Sequence, residues 1–114
     1  LILSDDGKQV HCGNKRKELP DNPERFSLCV NVLGHQSFSS GRFYFEVQVK
    51  GKTEWDLGVA RESINRKGDI IASPQNGFLT IRLRNRNEYK ALAGPSVRLH
   101  LQPGPEKVGV FVDY

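Results

Sequence analysis

The sequence predicts an all-β domain of antiparallel strands. Residues 42–50 alternate strictly: Phe43, Phe45, Val47 and Val49 fall on one side, Tyr44, Glu46 and Gln48 on the other. That is the two-residue period of a strand with one buried face. The pattern returns at residues 55–59, with Trp55, Leu57 and Val59 inward and Asp56 outward, and again at residues 78–84. No window carries a sustained 3.6-residue apolar period, and turn residues separate the alternating runs at short spacing, as in all-β folds.

Each element follows from its own residues. After the turn Asp5-Asp6-Gly7, residues 8–12 read as a weak strand, and residues 14–18 as a charged loop. Pro20 and Pro23 bracket a turn, because each fixes its own φ and holds the preceding residue extended. Residues 26–32 read as a strand, with Leu28, Val30 and Val32 on one side, followed by a polar loop anchored by Phe38. The runs at 42–50 and 55–59, joined through Gly51 and Lys52, read as a β-meander with one dry face. Residues 61–68 are a charged loop and 69–72 a short strand.

Asn76-Gly77 signals a turn. In residues 78–84, Leu79, Ile81 and Leu83 face one way and Thr80, Arg82 and Arg84 the other. Asn85-Arg86-Asn87 turns the chain back into residues 88–92, since Asn tolerates left-handed φ. Val97, Leu99 and Leu101 alternate with Arg98 and His100, and Pro103-Gly104-Pro105 ends that run. Residues 107–114 are almost wholly apolar, the pattern of a strand buried on both faces. A central strand at this point needs further partners, so the chain is expected to be a fragment.

Composition narrows the function. The 114 residues suffice for one domain, with a thin core at 37% hydrophobic content. The net charge of +4, from 17 Lys and Arg against 13 Asp and Glu, permits an acidic or nucleic-acid partner without requiring one. Two cysteines, Cys12 and Cys29, are few for a disulfide-stapled secreted domain. They favour reduced thiols in a cytoplasmic protein over a single bridge. No Asn-x-Ser/Thr sequon, signal-peptide pattern or membrane-length apolar run occurs.

No chemistry-bearing motif stands out. Cys12, Cys29, His11, His35 and His100 lack zinc-ligand spacing, so no metal or other cofactor is expected. No phosphate-cradling glycine loop or nucleophile elbow is present. Arg82 and Arg84 share one strand face and suit acidic or planar partners; equally, they suit a solvated outer face. Asp56 is placed to pair with one of them. Trp55 reads as core, and Tyr44 and Tyr89 as outward residues, available for partner contacts or for cross-strand pairs. The loop basic at Arg61, Arg66 and Lys67 suits RNA phosphates or plain solvation.

Eight segments stand in an order that resembles a known family. They are Leu19-Pro-Asp-Asn-Pro-Glu-Arg-Phe26, Val32-Leu-Gly34, Phe38-Ser-Ser-Gly-Arg42, Phe43-Tyr-Phe-Glu-Val47, Trp55-Asp-Leu-Gly-Val59, Arg66-Lys-Gly68, Asn76-Gly-Phe78 and Lys107-Val-Gly-Val-Phe-Val-Asp-Tyr114. Together they resemble the PRY–SPRY domain of tripartite-motif (TRIM) ubiquitin ligases and the related butyrophilins, with wording nearest to fish-type TRIM members. The resemblance covers the whole chain, residues 1–40 as PRY and 41–114 as SPRY.

It implies a bent β-sandwich of concanavalin-like jelly-roll type, lacking its last strands here. It also implies a non-catalytic protein-binding module that selects the substrate of a parent RING-type ubiquitin transferase. On the same resemblance that parent is expected to be a coiled-coil homodimer without a membrane span, working in innate immunity or protein turnover. Direct RNA binding, or ligand sensing in a butyrophilin or intracellular immune receptor, are the alternatives.

Departures from the family pattern shape the expected site. Phe45 and Leu79 replace family tryptophans and keep apolar character. The antibody-Fc-binding TRIM member uses an outward Asp and two Trp residues; Asp56 matches the Asp, while Arg82 and Arg84 replace the tryptophans. At the basic-pocket positions of phospholigand-binding butyrophilins stand Cys29, Asp56, Asp69 and Ile71, and only Lys90 is basic. The residues expected to bind a partner are Asp56, Asp69, Arg82, Arg84 and Lys90.

Overall fold

The structure, a computed structural model, describes residues 1–93, 95–101 and 104–114. Pro103, part of the expected break, lies outside the described residues. Among these the regular elements are β1 (Ile2–Leu3), β2 (Val10–His11), β3 (Arg42–Gln48), β4 (Trp55–Ala60), β5 (Phe78–Arg84), β6 (Glu88–Ala91), β7 (Val97–Leu99) and β8 (Lys107–Asp113), with one 3-10 turn at Pro74–Asn76. The fold is all-β. Every pairing is antiparallel: β1 with β2, β3 with β8, and β4-β5-β6-β7 as one four-stranded sheet. The chain forms two compact units, Leu1–His35 with Asn65–Ile70, and Gln36–Ile64 with Ile71–Tyr114.

In the first unit, the predicted Asp5-Asp6-Gly7 turn closes the β1-β2 hairpin, with Gly7 at φ 70°. The Asp6 carboxylate accepts from the Ser4 hydroxyl and the Lys8 amide. These bonds, the Ser4 bond foremost, hold its pKa below the usual carboxylate value. The predicted first strand shrinks to Val10–His11, and its partner Ile2–Leu3 was not anticipated.

Residues 26–32 do not form the expected strand. The Asn31 amide closes a tight turn on the Cys29 carbonyl, which breaks the extension. Ser27 bonds instead to the loop 65–70: its amide to the Arg66 carbonyl and its Oγ from the Gly68 amide. Leu28 and Val30 are left exposed.

That loop is the clasp of the unit. The Lys67 ammonium donates to the Asp21 carboxylate and to the carbonyls of Asn22 and Arg25. Arg66 donates to the Glu24 carbonyl at 2.8 Å, and its guanidinium lies 6.0 Å from the centre of the Phe26 ring. Lys67→Met is therefore expected to loosen the 20–25 turn. Limited chymotrypsin digestion should cut faster at Phe26 in the variant; unchanged cutting would refute the clasp.

In the second unit, β3 and β4 do not form the expected meander. β3 pairs over all seven residues with β8, Phe43 opposite Val112, Phe45 opposite Val110 and Val47 opposite Val108. The two apolar faces match along their whole length. β4 pairs with β5. Between them Gly51, at φ 76°, and the Lys52 amide bonded to the Val49 carbonyl turn the chain out of the β3 ladder. Two antiparallel sheets, each with one apolar face, are the layers of a β-sandwich.

β8 alternates exposed and half-buried residues rather than burying both faces, and Phe111 is exposed beside its partner Tyr44. Residues 69–72 form no strand, and the Ile71 carbonyl accepts from the Asn76 side chain. The β5-β6 turn takes left-handed φ at Asn85 (52°) and also at Arg86 (67°).

The register of the four-stranded sheet sets its two sides. Trp55, Leu57 and Val59 lie opposite Leu83, Ile81 and Leu79, and Leu83 lies opposite Tyr89. Tyr89 is thus on the apolar side and only 3% exposed, not outward as its place in the sequence suggested. Its ring meets that of Trp55 at a centroid distance of 6.4 Å.

Candidate protein-binding face

The other side of the same sheet is charged, and its register is the central fact of the site. Asp56 lies opposite Arg82, Arg82 opposite Lys90, and Lys90 opposite Arg98. One row crosses all four strands. The next row toward the β5-β6 turn pairs Arg84 with Glu88. At the far end of this side Phe78 and Leu92 are buried, so the open part is polar.

Asp56 organises one end of the row. Its Oδ2 accepts from Arg82 Nη2 at 2.9 Å and its Oδ1 pairs with Arg84 Nη2 at 2.7 Å. Arg84 Nη1 also donates to the carbonyls of Trp55 and Leu83. The sequence suggested that Asp56 would pair with one arginine; it pairs with both. The three side chains are about one-third exposed. Thr80 Oγ1 and Arg82 Nε are buried with no protein partner among the described residues. Lys90 and Arg98 are exposed and make no ion pair among the described residues.

Four of the five residues expected to bind a partner therefore share one sheet face. Asp69 is in no strand of this sheet; it is exposed in the loop 65–70 of the first unit. Arg98 does join it and was not singled out, because only the β6-β7 register aligns it with Lys90. Tyr44 is exposed on the outer side of β3. Desolvation first, then the charge and hydrogen bond of Glu46, raise its phenol pKa.

The basic loop, read from the sequence as suiting RNA phosphates or plain solvation, has Arg66 and Lys67 engaged within the first unit, where they hold the 20–25 turn. Both cysteines are free thiols, Cys12 exposed and Cys29 half-buried. A cleft of about 400 Å³ lies on the apolar side, bordered by Val49, Trp55, Leu83, Tyr89 and Pro105. It is separate from the charged row. Among the described residues no helix is long and apolar enough to cross a membrane.

Residues 1–38 match the SPRY-associated domain, PRY, and residues 42–114 match the SPRY domain. The chain belongs to the PRY–SPRY family. Nuclear factor 7, brain, of Xenopus laevis is 55% identical over 114 residues, all of this chain and 19% of that protein. Pyrin of Homo sapiens is 50% identical over the whole chain, which spans 15% of its length. E3 ubiquitin-protein ligase TRIM21 of Bos taurus is 46% identical over the whole chain and 24% of its own length. The PRY–SPRY chain thus spans a quarter or less of each of these relatives. PRY–SPRY domains of TRIM proteins are protein-interaction modules, and this one is not itself catalytic.

Proposed function

We propose that this PRY–SPRY domain is the substrate-recognition module of a cytoplasmic TRIM-type ubiquitin ligase, acting in innate immunity or protein turnover. It captures a target protein on the charged face of the four-stranded sheet through Asp56, Arg82, Arg84 and Lys90. The observation that carries this reading is the alignment of these side chains in adjacent positions of one sheet face, with an organised Asp–Arg–Arg cluster at one end. Bidentate-capable guanidinium groups fixed by a carboxylate are pre-oriented donors, which lowers the entropy cost of each contact. Target ubiquitination belongs to the parent's RING domain, and a coiled coil there would present two copies of this face.

The test is affinity capture from cell extract with the intact protein and its Arg82→Glu/Arg84→Glu variant. Reversing both charges is expected to abolish recovery of the wild-type targets. Recovery of the same targets at the same level would place the binding surface elsewhere.

A further inference from the structure

We infer that the ligand of this face is an acidic protein segment, whose clustered Asp or Glu carboxylates seat on Lys90 and Arg98. The inference rests on the reading of the charged sheet side as the capture surface, and it names the chemistry captured. Like charges directly opposite on neighbouring strands destabilise a sheet. Here Arg82, Lys90 and Arg98 stand side by side across three strands. Asp56 is the one anion in the row, and both its oxygens are engaged by Arg82 and Arg84. Its charge relieves the β4-β5 end and leaves the β6-β7 end uncompensated.

Glu88, on the same side beside Arg84, makes no ion pair among the described residues and meets only the Asn85 side-chain amide, at 3.4 Å. The repulsion between Lys90 and Arg98 is therefore relieved by an anion from outside. Two carboxylates a few ångströms apart match it, because neighbouring strands lie about 4.8 Å apart.

Protein is favoured over nucleic acid by what the row lacks. Single-stranded nucleic acid is held by a basic groove together with aromatic platforms on which bases stack. The aromatic residues of this sheet, Trp55 and Tyr89, face the apolar side, and Phe78 is buried. No aromatic ring stands in the row. The open face offers charge without stacking.

The test uses fluorescence anisotropy with the intact protein and two labelled peptides, one with alternating Glu and Gly and one with Gln in place of Glu. A polyuridine oligonucleotide of equal net charge is the third probe. The Glu peptide should bind, weaken as salt rises, and lose on the order of tenfold in affinity in Lys90→Gln/Arg98→Gln. The Gln peptide should not bind. Equal binding of the two peptides, an unchanged affinity in the variant, or tighter binding of the oligonucleotide lost in that variant would each overturn the inference.

The variant should melt no lower than the wild type, since both side chains are exposed and their mutual repulsion is removed. If target capture fails in Arg82→Glu/Arg84→Glu yet is untouched by Lys90→Gln/Arg98→Gln, the capture face stands and the acidic ligand does not. If capture survives the arginine reversal, the capture face itself is wrong.

Discussion

Gly58→Ala is expected to destabilise the domain by roughly 3 kcal/mol or more, the range of overpacking a site that cannot relax. Gly58 is in the middle of β4, opposite Thr80. A Cβ added there would lie 2.8 Å from the Thr80 Cα and 3.0 Å from the Leu79 carbonyl carbon, and would overlap the Leu79 oxygen. All three are backbone atoms of β5, which is held on its far side by β6. They can yield only by shifting the ladder that sets Asp56 against Arg82.

The useful control is Gly109→Ala. There the obstacle is the Tyr44 ring, with Cε2 and Cζ each 2.9 Å away. That ring is exposed and can swing aside, so a cost below about 1 kcal/mol is expected, within the range of surface substitutions that touch nothing rigid. Thermal melts of the two variants in the same intact protein decide the matter. Gly58→Ala should lose on the order of 10 °C and Gly109→Ala only a few degrees. If both melt near the wild type, the close approach of β4 and β5 is not a constraint.

What could be read from the chain before its structure divides along a physical line. Period-two alternation is local, so β3, β4, β5 and β8 were legible nearly to the residue. Pairing is not local. β3 has a neighbour in sequence, β4, but its apolar face matches the distant β8, and nothing in residues 42–60 announces that. Residues 26–32 show the converse failure: their alternation is real, yet a tight turn at Val30 and the bonds of Ser27 to the loop 65–70 override it.

Tyr89 was misplaced for a related reason. In a short strand either set of alternate residues can face inward, and only the opposition of Tyr89 to Leu83 settles which. The site follows the same rule. Asp56, Arg82 and Arg84 are outward residues on well-marked strands. Lys90 and Asp69 came from family resemblance. Arg98 acquires meaning only through its register with Lys90.

Asp56→Ala carries the second large effect, because one carboxylate serves two guanidinium groups. Removing it leaves Arg82 and Arg84 half-buried and unneutralised beside Lys90 and Arg98. Their partial exposure lets solvent screen part of the cost, so a loss of about 1–2 kcal/mol is expected, between exposed and buried pairs. Target capture should fall more steeply than stability does, since both arginines lose the anchor that orients them.

The triple variant Asp56→Ala/Arg82→Leu/Arg84→Leu separates the two roles. Replacing a whole ion cluster by apolar residues of similar size is often neutral or stabilising. Its melting temperature should therefore return toward the wild-type value, while capture of the same targets stays lost. A triple variant that regains both stability and capture would make the cluster a structural brace and move recognition away from this end of the row. One that regains stability alone shows that the charges are kept for the partner, at some expense to the fold.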